Sequence, residues 1–106
     1  MSIYYGMMNK YRDETMQMCR HKGWDKAPVT TVWMLYSEEN GELASAIRQL
    51  QKTYKKTGLK KDKGVDVTQE MGDVFSYLFQ IAGMLNIDLD HMWELHRQKV
   101  RTKIYK

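Results

Sequence analysis

Cysteine and long apolar runs are nearly absent from this chain of 106 residues. Its one cysteine, Cys19, has no second cysteine with which to form an internal disulfide or a thiolate zinc site. The longest uncharged apolar run covers residues 27–37, far short of the roughly 18 residues that a membrane-spanning helix needs. No basic segment followed by an apolar one opens the chain, as a secretion signal would. We therefore expect a cytoplasmic protein with no membrane partner.

Proline is also scarce, with one residue, and glycine occurs seven times, so few points interrupt the hydrophobic periodicity. That periodicity predicts an all-α fold, a bundle of the four-helix type with no strand. With their capping residues, the helices are predicted over about 3–21, 30–54, 66–85 and 88–103. We expect a single domain over residues 1–106, since the length leaves no room for two cores. A core this small buries only about two-thirds of the unfolded surface, which predicts an oligomer.

Polar residues at the ends of the predicted helices support the predicted helix boundaries. Thr30 is a favourable N-cap for the second helix, and Asp88 for the fourth. Asp66, with Gln69 three residues later, predicts a capping box at the start of the third helix. Asn86 can adopt the left-handed conformation that ends that helix. Between the second and third helices, residues 55–64 are rich in lysine and predict a solvated loop.

The charge of the chain is modestly positive. Seventeen Lys and Arg against thirteen Asp and Glu give a net charge of +4, which suits an anionic partner. The basic residues concentrate in residues 52–63 and in residues 97–106. Lysine runs between helices are usually solvated loops, and no aromatic residue follows Tyr54 among these lysines to stack on bases. We therefore do not expect nucleic acid to be the main partner.

Two predicted helices place acids on their apolar stripes. On the second helix Glu39 and Glu42 interrupt a stripe of Val32, Leu35, Ala46 and Leu50, and on the third Glu70 and Asp73 repeat the same spacing. Burying isolated carboxylates costs several kcal/mol each, and like charges one turn apart add to that cost. Neither helix offers a basic residue on this stripe near the acids. The pattern therefore predicts a cation supplied from outside the chain.

The chemistry of the ligands narrows the choice of that cation. Carboxylate oxygens are hard ligands that suit Mg²⁺, with Mn²⁺ as the alternative, and a partly hydrated ion keeps positions for substrate phosphates. Gly41 and Gly72 occupy matching positions inside the two acidic pairs. An interior glycine costs roughly 0.5 to 1 kcal/mol relative to alanine, so the matched pair predicts the close approach of a backbone or a ligand.

These residues resemble a known family. The run from Ser37 to Ala44, followed by Glu70-Met71-Gly72-Asp73-Val74, resembles the EExxE and ExxD signature of the MazG-like all-α nucleoside triphosphate pyrophosphohydrolases. The similarity extends from about Cys19 to the end of the chain. It implies a helical homodimer or homotetramer that uses Mg²⁺ to hydrolyse an NTP or dNTP to the monophosphate and pyrophosphate.

The resemblance also assigns roles to residues by their position in the motif. It implies metal ligation by four acids, Glu39, Glu42, Glu70 and Asp73. Glu38 would position the attacking water or bind a second metal ion. Either Glu38 or Glu39 would accept the proton of that water. Trp24, in a loop between helices, would stack on the base, or else cover the bundle as a hydrophobic plug. Basic residues of the last helix would hold the outer phosphates, and the candidates are Lys99, Arg101 and Lys103.

A second function remains open from the sequence alone. The basic loop and the basic last helix also fit a non-enzymatic helical module that binds nucleic acid or a protein partner. Trp33 and Trp93 lie on helical faces and are expected in the core or at a subunit interface. Cys19 is expected to be a small buried hydrophobe.

Overall fold

A computed structural model describes residues 6–51 and 66–104 of the chain. Within these ranges the chain forms four α-helices and no strand, which confirms the all-α prediction. The predicted lysine-rich loop at 55–64 and the predicted end of the second helix near 54 lie outside the described residues. The helices are α1 (Met7–Lys22), α2 (Val29–Gln51), α3 (Val67–Met84) and α4 (Leu89–Ile104), with a 3₁₀ turn at Trp24–Lys26.

Most of the predicted helix ends are confirmed by their hydrogen bonds. The Asp66 Oδ1 accepts from the backbone N–H groups of the second and third residues of α3, at 2.9 and 3.3 Å. The Asp88 Oδ1 accepts from the N–H of His91 at 3.0 Å at the start of α4. Asn86 has a φ of 55°, the left-handed conformation expected after α3. These features are local, and so the sequence is sufficient to specify them.

The predicted N-cap of the second helix is wrong. Thr30 lies inside the first turn of α2, because the helix already begins at Val29. The carbonyl of Pro28 accepts from the N–H groups of Thr31 and Val32, at 3.0 and 3.3 Å. Proline fixes φ near its helical value and lacks the N–H that a helix start leaves unpaired, so it fits this position.

Packing divides the chain into two compact units. The second unit runs from Pro28 to Leu78 and contains α2 with most of α3. Val32, Ala46 and Val74 are buried in it, as the predicted stripes require. Leu35 and Leu50, on the same predicted stripe of α2, are exposed instead. The buried face of α2 is therefore narrower than the apolar stripe predicted from its sequence.

The first unit combines the described residues up to Ala27 with those from Phe79 onward. Cys19 is only 3% exposed, which confirms that it is a small buried residue. Burial, followed by the nearby charge of Asp25, raises the pKa of its thiol. The Met16 side chain of α1 occupies the space that a Cβ on Gly83 of α3 would need. In this unit a helix therefore packs directly against a glycine backbone.

Many large apolar side chains are exposed. Trp33 and Trp93 are 56% and 47% exposed, so the expectation that either belongs to the core of this chain is wrong. Met34 is 67% exposed, and Phe75 and Leu78 are also on the surface. Among the described helices, none combines the length and the apolarity required to cross a bilayer.

Candidate metal centre

Three carboxylates converge in the second unit. Glu39 of α2 and Glu70 and Asp73 of α3 each offer one oxygen, and these oxygens all lie within 4.8 Å of one another. Glu70 and Asp73 are three residues apart on a helix, a spacing that places both side chains on one face. The structure therefore brings together acids from two helices that the sequence separates by about thirty residues.

Two oxygens of this cluster are buried without a hydrogen-bond partner. The Oε2 atoms of Glu39 and Glu70 are both inaccessible to solvent, and neither has a partner among the described residues. Asp73 is exposed. Most buried polar atoms in folded proteins are hydrogen-bonded, so two orphaned carboxylate oxygens at one point require an explanation. A cation that binds both is the simplest one.

Glu42 lies beside this cluster in a different role. Its carboxyl group is hydrogen-bonded to that of Glu39. Three of the four predicted ligands thus offer oxygens that converge, and the fourth, Glu42, contacts the cluster through Glu39.

Burial and the charges of neighbouring acids raise the pKa values of Glu39 and Glu70. The pKa of Glu39 rises to about 7, first because of burial and then because of the hydrogen bond to Glu42 and the charges of Glu42, Asp73 and Glu70. The pKa of Glu70 is also raised, by burial first and then by the charges of Glu42, Asp73 and Asp66. A site that favours protons in this way gains free energy when a metal ion replaces them.

The metal-free protein should lose stability as pH rises through this site's titration. Glu39 has an ordinary pKa of 4.5 when unfolded and about 7 when folded, so the folded state binds more protons between these values. The stabilisation is complete below about pH 4.5 and is lost by about pH 7. We expect a decrease of about 1 kcal/mol, after allowing for solvent screening, in urea titrations with EDTA. Glu39→Gln should flatten the dependence of the free energy of unfolding on pH. The same pH dependence in that variant as in wild type would show that Glu39 does not cause it.

The arrangement fits a hard divalent ion. Magnesium binds oxygen at 2.0–2.1 Å, so its neighbouring ligand oxygens lie about 3–4 Å apart. Side-chain rotations would bring oxygens that lie within 4.8 Å of one another to that spacing. The donor set is made only of oxygen, which suits Mg²⁺ or Mn²⁺ better than zinc. The two orphaned oxygens are the atoms that gain most from such an ion.

The remaining acidic motif residue and the two matched glycines lie outside this cluster. Glu38 is exposed on α2, about 100° around the helix from Glu39. No atom of the described residues lies within 4 Å of a Cβ built on Gly41 or Gly72. For residues 6–51 and 66–104, the prediction that a backbone approaches these glycines is therefore wrong. The alternative, that a ligand approaches them, stays a prediction.

The predicted substrate-binding residues belong to the first unit. Trp24 is exposed in the 3₁₀ turn, which is inconsistent with a buried plug, and the Lys22 Nζ lies 5.5 Å from its ring centroid. This is a cation–π contact, and it orients the ring from one side. The predicted phosphate-binding residues lie on α4 and are all exposed: Lys99, Arg101 and Lys103.

Asp66 contributes to the site in a way that sequence reasoning missed. It was predicted only as the cap of α3, and it is that cap. Its charge also acts on Glu70, one helical turn away, and raises the pKa of Glu70. The spacing of four residues, which places two side chains on one face of a helix, is the sequence signal that could have revealed this.

Comparison with known proteins identifies the family of the chain. The sequence matches the family model of the MazG nucleotide pyrophosphohydrolase domain over residues 28–104. This range contains all four predicted metal ligands, and α1 precedes it. No curated protein and no solved structure gave a significant match to the chain. The matched range covers well over half of the sequence, and the chain therefore belongs to the MazG nucleotide pyrophosphohydrolase family.

Proposed function

We propose that this protein is a Mg²⁺-dependent nucleoside triphosphate pyrophosphohydrolase, and that residues 1–106 form one MazG-like domain. Its substrate would be an NTP or dNTP, and its products the monophosphate and pyrophosphate. The observation that carries the proposal is the cluster of Glu39, Glu70 and Asp73, with two buried oxygens that lack a partner. Membership of the MazG family identifies the class of reaction to which such a cluster belongs.

The acids of α2 and α3 would hold the ion. Glu39, Glu70 and Asp73 would supply the three gathered oxygens, and Glu42, which contacts Glu39, would be the fourth ligand. Mg²⁺, or Mn²⁺ in its place, would neutralise phosphate charge and lower the pKa of a bound water. Loss of protons from these carboxyl groups increases their affinity for the ion.

Proton transfer would fall to a carboxylate oxygen that does not bind the ion, either on a residue outside the ligand set or as the second oxygen of a ligand. Water attacks phosphorus, the anhydride bond between the α and β phosphates breaks, and the water's proton must pass to a base. Glu38 and Glu39 are the two candidates. The pKa of about 7 of Glu39 in the metal-free site matches a general base at neutral pH. Glu38 is exposed and therefore accessible to water.

The residues that the sequence predicted to bind substrate remain the candidates for contacts with the base and the outer phosphates. The exposed ring of Trp24 can stack on a nucleobase with one face while Lys22 contacts the ring. The α4 cations Lys99, Arg101 and Lys103 would bind phosphate oxygens by charge-assisted hydrogen bonds. If so, their replacement by alanine raises KM much more than it lowers kcat, because contacts to groups remote from the reacting atoms contribute uniform binding.

The test is release of pyrophosphate from a panel of canonical and oxidised ribo- and deoxyribonucleoside triphosphates. The expected result is hydrolysis of at least one of them that requires Mg²⁺ or Mn²⁺ and stops with EDTA. Detection of the monophosphate in equal amount would establish which anhydride bond breaks. Failure on the whole panel, together with salt-dependent binding of DNA or RNA, would instead favour a non-enzymatic binding module.

We also propose that the chain works as a homodimer or homotetramer. Exposed apolar side chains support this, because a small soluble protein rarely leaves many of them in water. On α3, Met71, Phe75 and Leu78 are exposed at spacings of four and three, and so they share one helical face. Trp33 and Met34 are exposed on α2. Sedimentation equilibrium should give a mass of two or four chains, and a monomer at micromolar concentration would refute the proposal.

A further inference from the structure

The first helix begins without a side-chain cap of its own. The residue at its N-cap is Gly6, with a φ of 89°. Glycine has no side chain, so it cannot accept hydrogen bonds from the free N–H groups of the first turn. No acidic residue lies in the first turn of α1. This helix also precedes the residues that match the MazG family. The sequence of α1 therefore does not by itself stabilise the start of the helix.

A carboxylate from another helix supplies the missing cap. The Asp90 Oδ1 of α4 accepts from the N–H of Met8 at 3.1 Å, and its Oδ2 accepts from the N–H of Asn9 at 3.2 Å. The same negative charge lies at the positive end of the α1 dipole. An N-cap interaction is worth about 1 kcal/mol when it comes from the adjacent residue, and here it comes from a residue more than eighty positions away.

The first helix caps the fourth in return. The Asn9 Oδ1 accepts from the N–H of Leu89, the first residue of α4, at 2.7 Å. Its Nδ2 donates to the Asp88 Oδ1 at 2.9 Å. One turn further along α1, the Arg12 guanidinium donates to the carbonyl of Ile87 at 2.7 Å. We call the four side chains of Asn9, Arg12, Asp88 and Asp90 the clasp.

We propose that α1 is a strap, fastened by the clasp to the start of α4, and that it opens as a unit while the rest of the chain stays folded. Only Thr15 and Cys19 of α1 are fully buried, so apolar burial contributes little to holding it in place. The clasp concentrates the polar contacts at one end, where each helix caps the other. Loss of either cap therefore weakens both, which makes release of the strap cooperative.

Opening of the strap would uncover a defined surface. Tyr11 of α1 packs against Phe79 of α3 with ring centroids 6.1 Å apart, and Met16 covers Gly83. Cys19 lies on the buried side of α1. Release of α1 exposes all of these positions together. The thiol of Cys19, the only one in the chain, is thus a built-in reporter of the open state.

The first test measures alkylation of Cys19 in the full-length protein by iodoacetamide, a neutral reagent, over a series of urea concentrations below the unfolding transition. A strap that opens alone exposes less surface than global unfolding does. The opening free energy from labelling should therefore depend on urea with a slope less than half of that for unfolding followed by circular dichroism. Equal slopes and equal free energies would overturn the proposal, because Cys19 would then be exposed only by global unfolding.

The second test changes the clasp itself. Asp90→Ala and Asn9→Ala should each accelerate labelling by about fivefold to thirtyfold, the effect of losing one well-formed cap. Asp90→Asn should accelerate it less, since an amide oxygen still accepts one hydrogen bond. The double variant should show less than the product of the two single effects, because the residues share one network.

The matched control is Gln17→Ala, an exposed position on α1 outside the clasp, which should change the labelling rate by less than twofold. Circular dichroism in the absence of urea confirms that each variant is folded. Wild-type labelling rates in both clasp variants would overturn the proposal. If Asp90→Ala does not fold, Asp90→Asn and Asn9→Ala provide the same comparison. None of these measurements depends on catalytic activity, so the result is independent of the proposed function.

Discussion

Replacing Glu39 by glutamine should reduce pyrophosphate release by about 100-fold or more, because this change removes a proposed metal ligand and a candidate base in one step. The same variant should be more stable than wild type when both are metal-free. Glu39 has a buried oxygen without a partner and lies among three other acids, and a neutral amide relieves that repulsion. Activity and metal-free stability should thus change in opposite directions.

The measurements for this variant are steady-state kinetics at saturating Mg²⁺ and thermal unfolding in EDTA. Glu14→Gln makes the same chemical change at an exposed acid of α1 outside the site, and it should leave both quantities near wild type. Asp73→Asn should repeat the loss of activity, since Asp73 shares the cluster. Full activity in Glu39→Gln, together with its greater stability, would show that the acids hold no catalytic ion.

Addition of Mg²⁺ or Mn²⁺ should raise the melting temperature of the wild-type protein on the order of 10 °C. A ligand at 100 times its dissociation constant stabilises the folded state by about 2.7 kcal/mol. In a domain of about 100 residues, each kcal/mol shifts the melting temperature by about 4 °C or more. The ion would also neutralise the charges of Glu42, Asp73 and Glu70, which raise the pKa of Glu39.

The dependence of this shift on pH separates a specific site from weak surface binding. Protons compete with the ion below the pKa of about 7 of Glu39, so the shift should be several times smaller at pH 5 than at pH 8. Glu39→Gln should lose most of the shift at both pH values, whereas Glu14→Gln should keep it. An equal shift in all three proteins would show that the ion binds elsewhere.

The sequence was sufficient for the features that depend on local spacing. The caps at Asp66 and Asp88 and the left-handed Asn86 were predicted, because each involves hydrogen bonds or dihedral angles within a few residues. Glu39, Glu70 and Asp73 were predicted to face inward from helical periodicity, and their oxygens do converge. The side-chain contact between Glu42 and Glu39 could not be predicted, since it depends on rotamers that spacing does not specify.

The glycines within the helices show that position in the sequence does not predict close packing. Gly41 and Gly72 were expected to mark a close approach because they occupy matching positions, yet no atom of the described residues lies close to either. Gly83 carries the close contact instead, with Met16 of another helix. All three cost the helix the same backbone entropy, so the sequence does not distinguish them. The difference arises only from which helix faces each position.

The sequence by itself determined the helical class and the family, and it marked four acids as candidate metal ligands. Periodicity and motif spacing suffice for this, because both are properties of a chain read along its length. The tertiary structure alone decided which oxygens meet, which of them are left without partners, and how α1 is held. The cap on α1 comes from Asp90, more than eighty residues away, and no local pattern reveals a partner at that distance. Hydrogen bonds and carboxylate repulsion act over a few ångströms in space, whatever the separation along the chain.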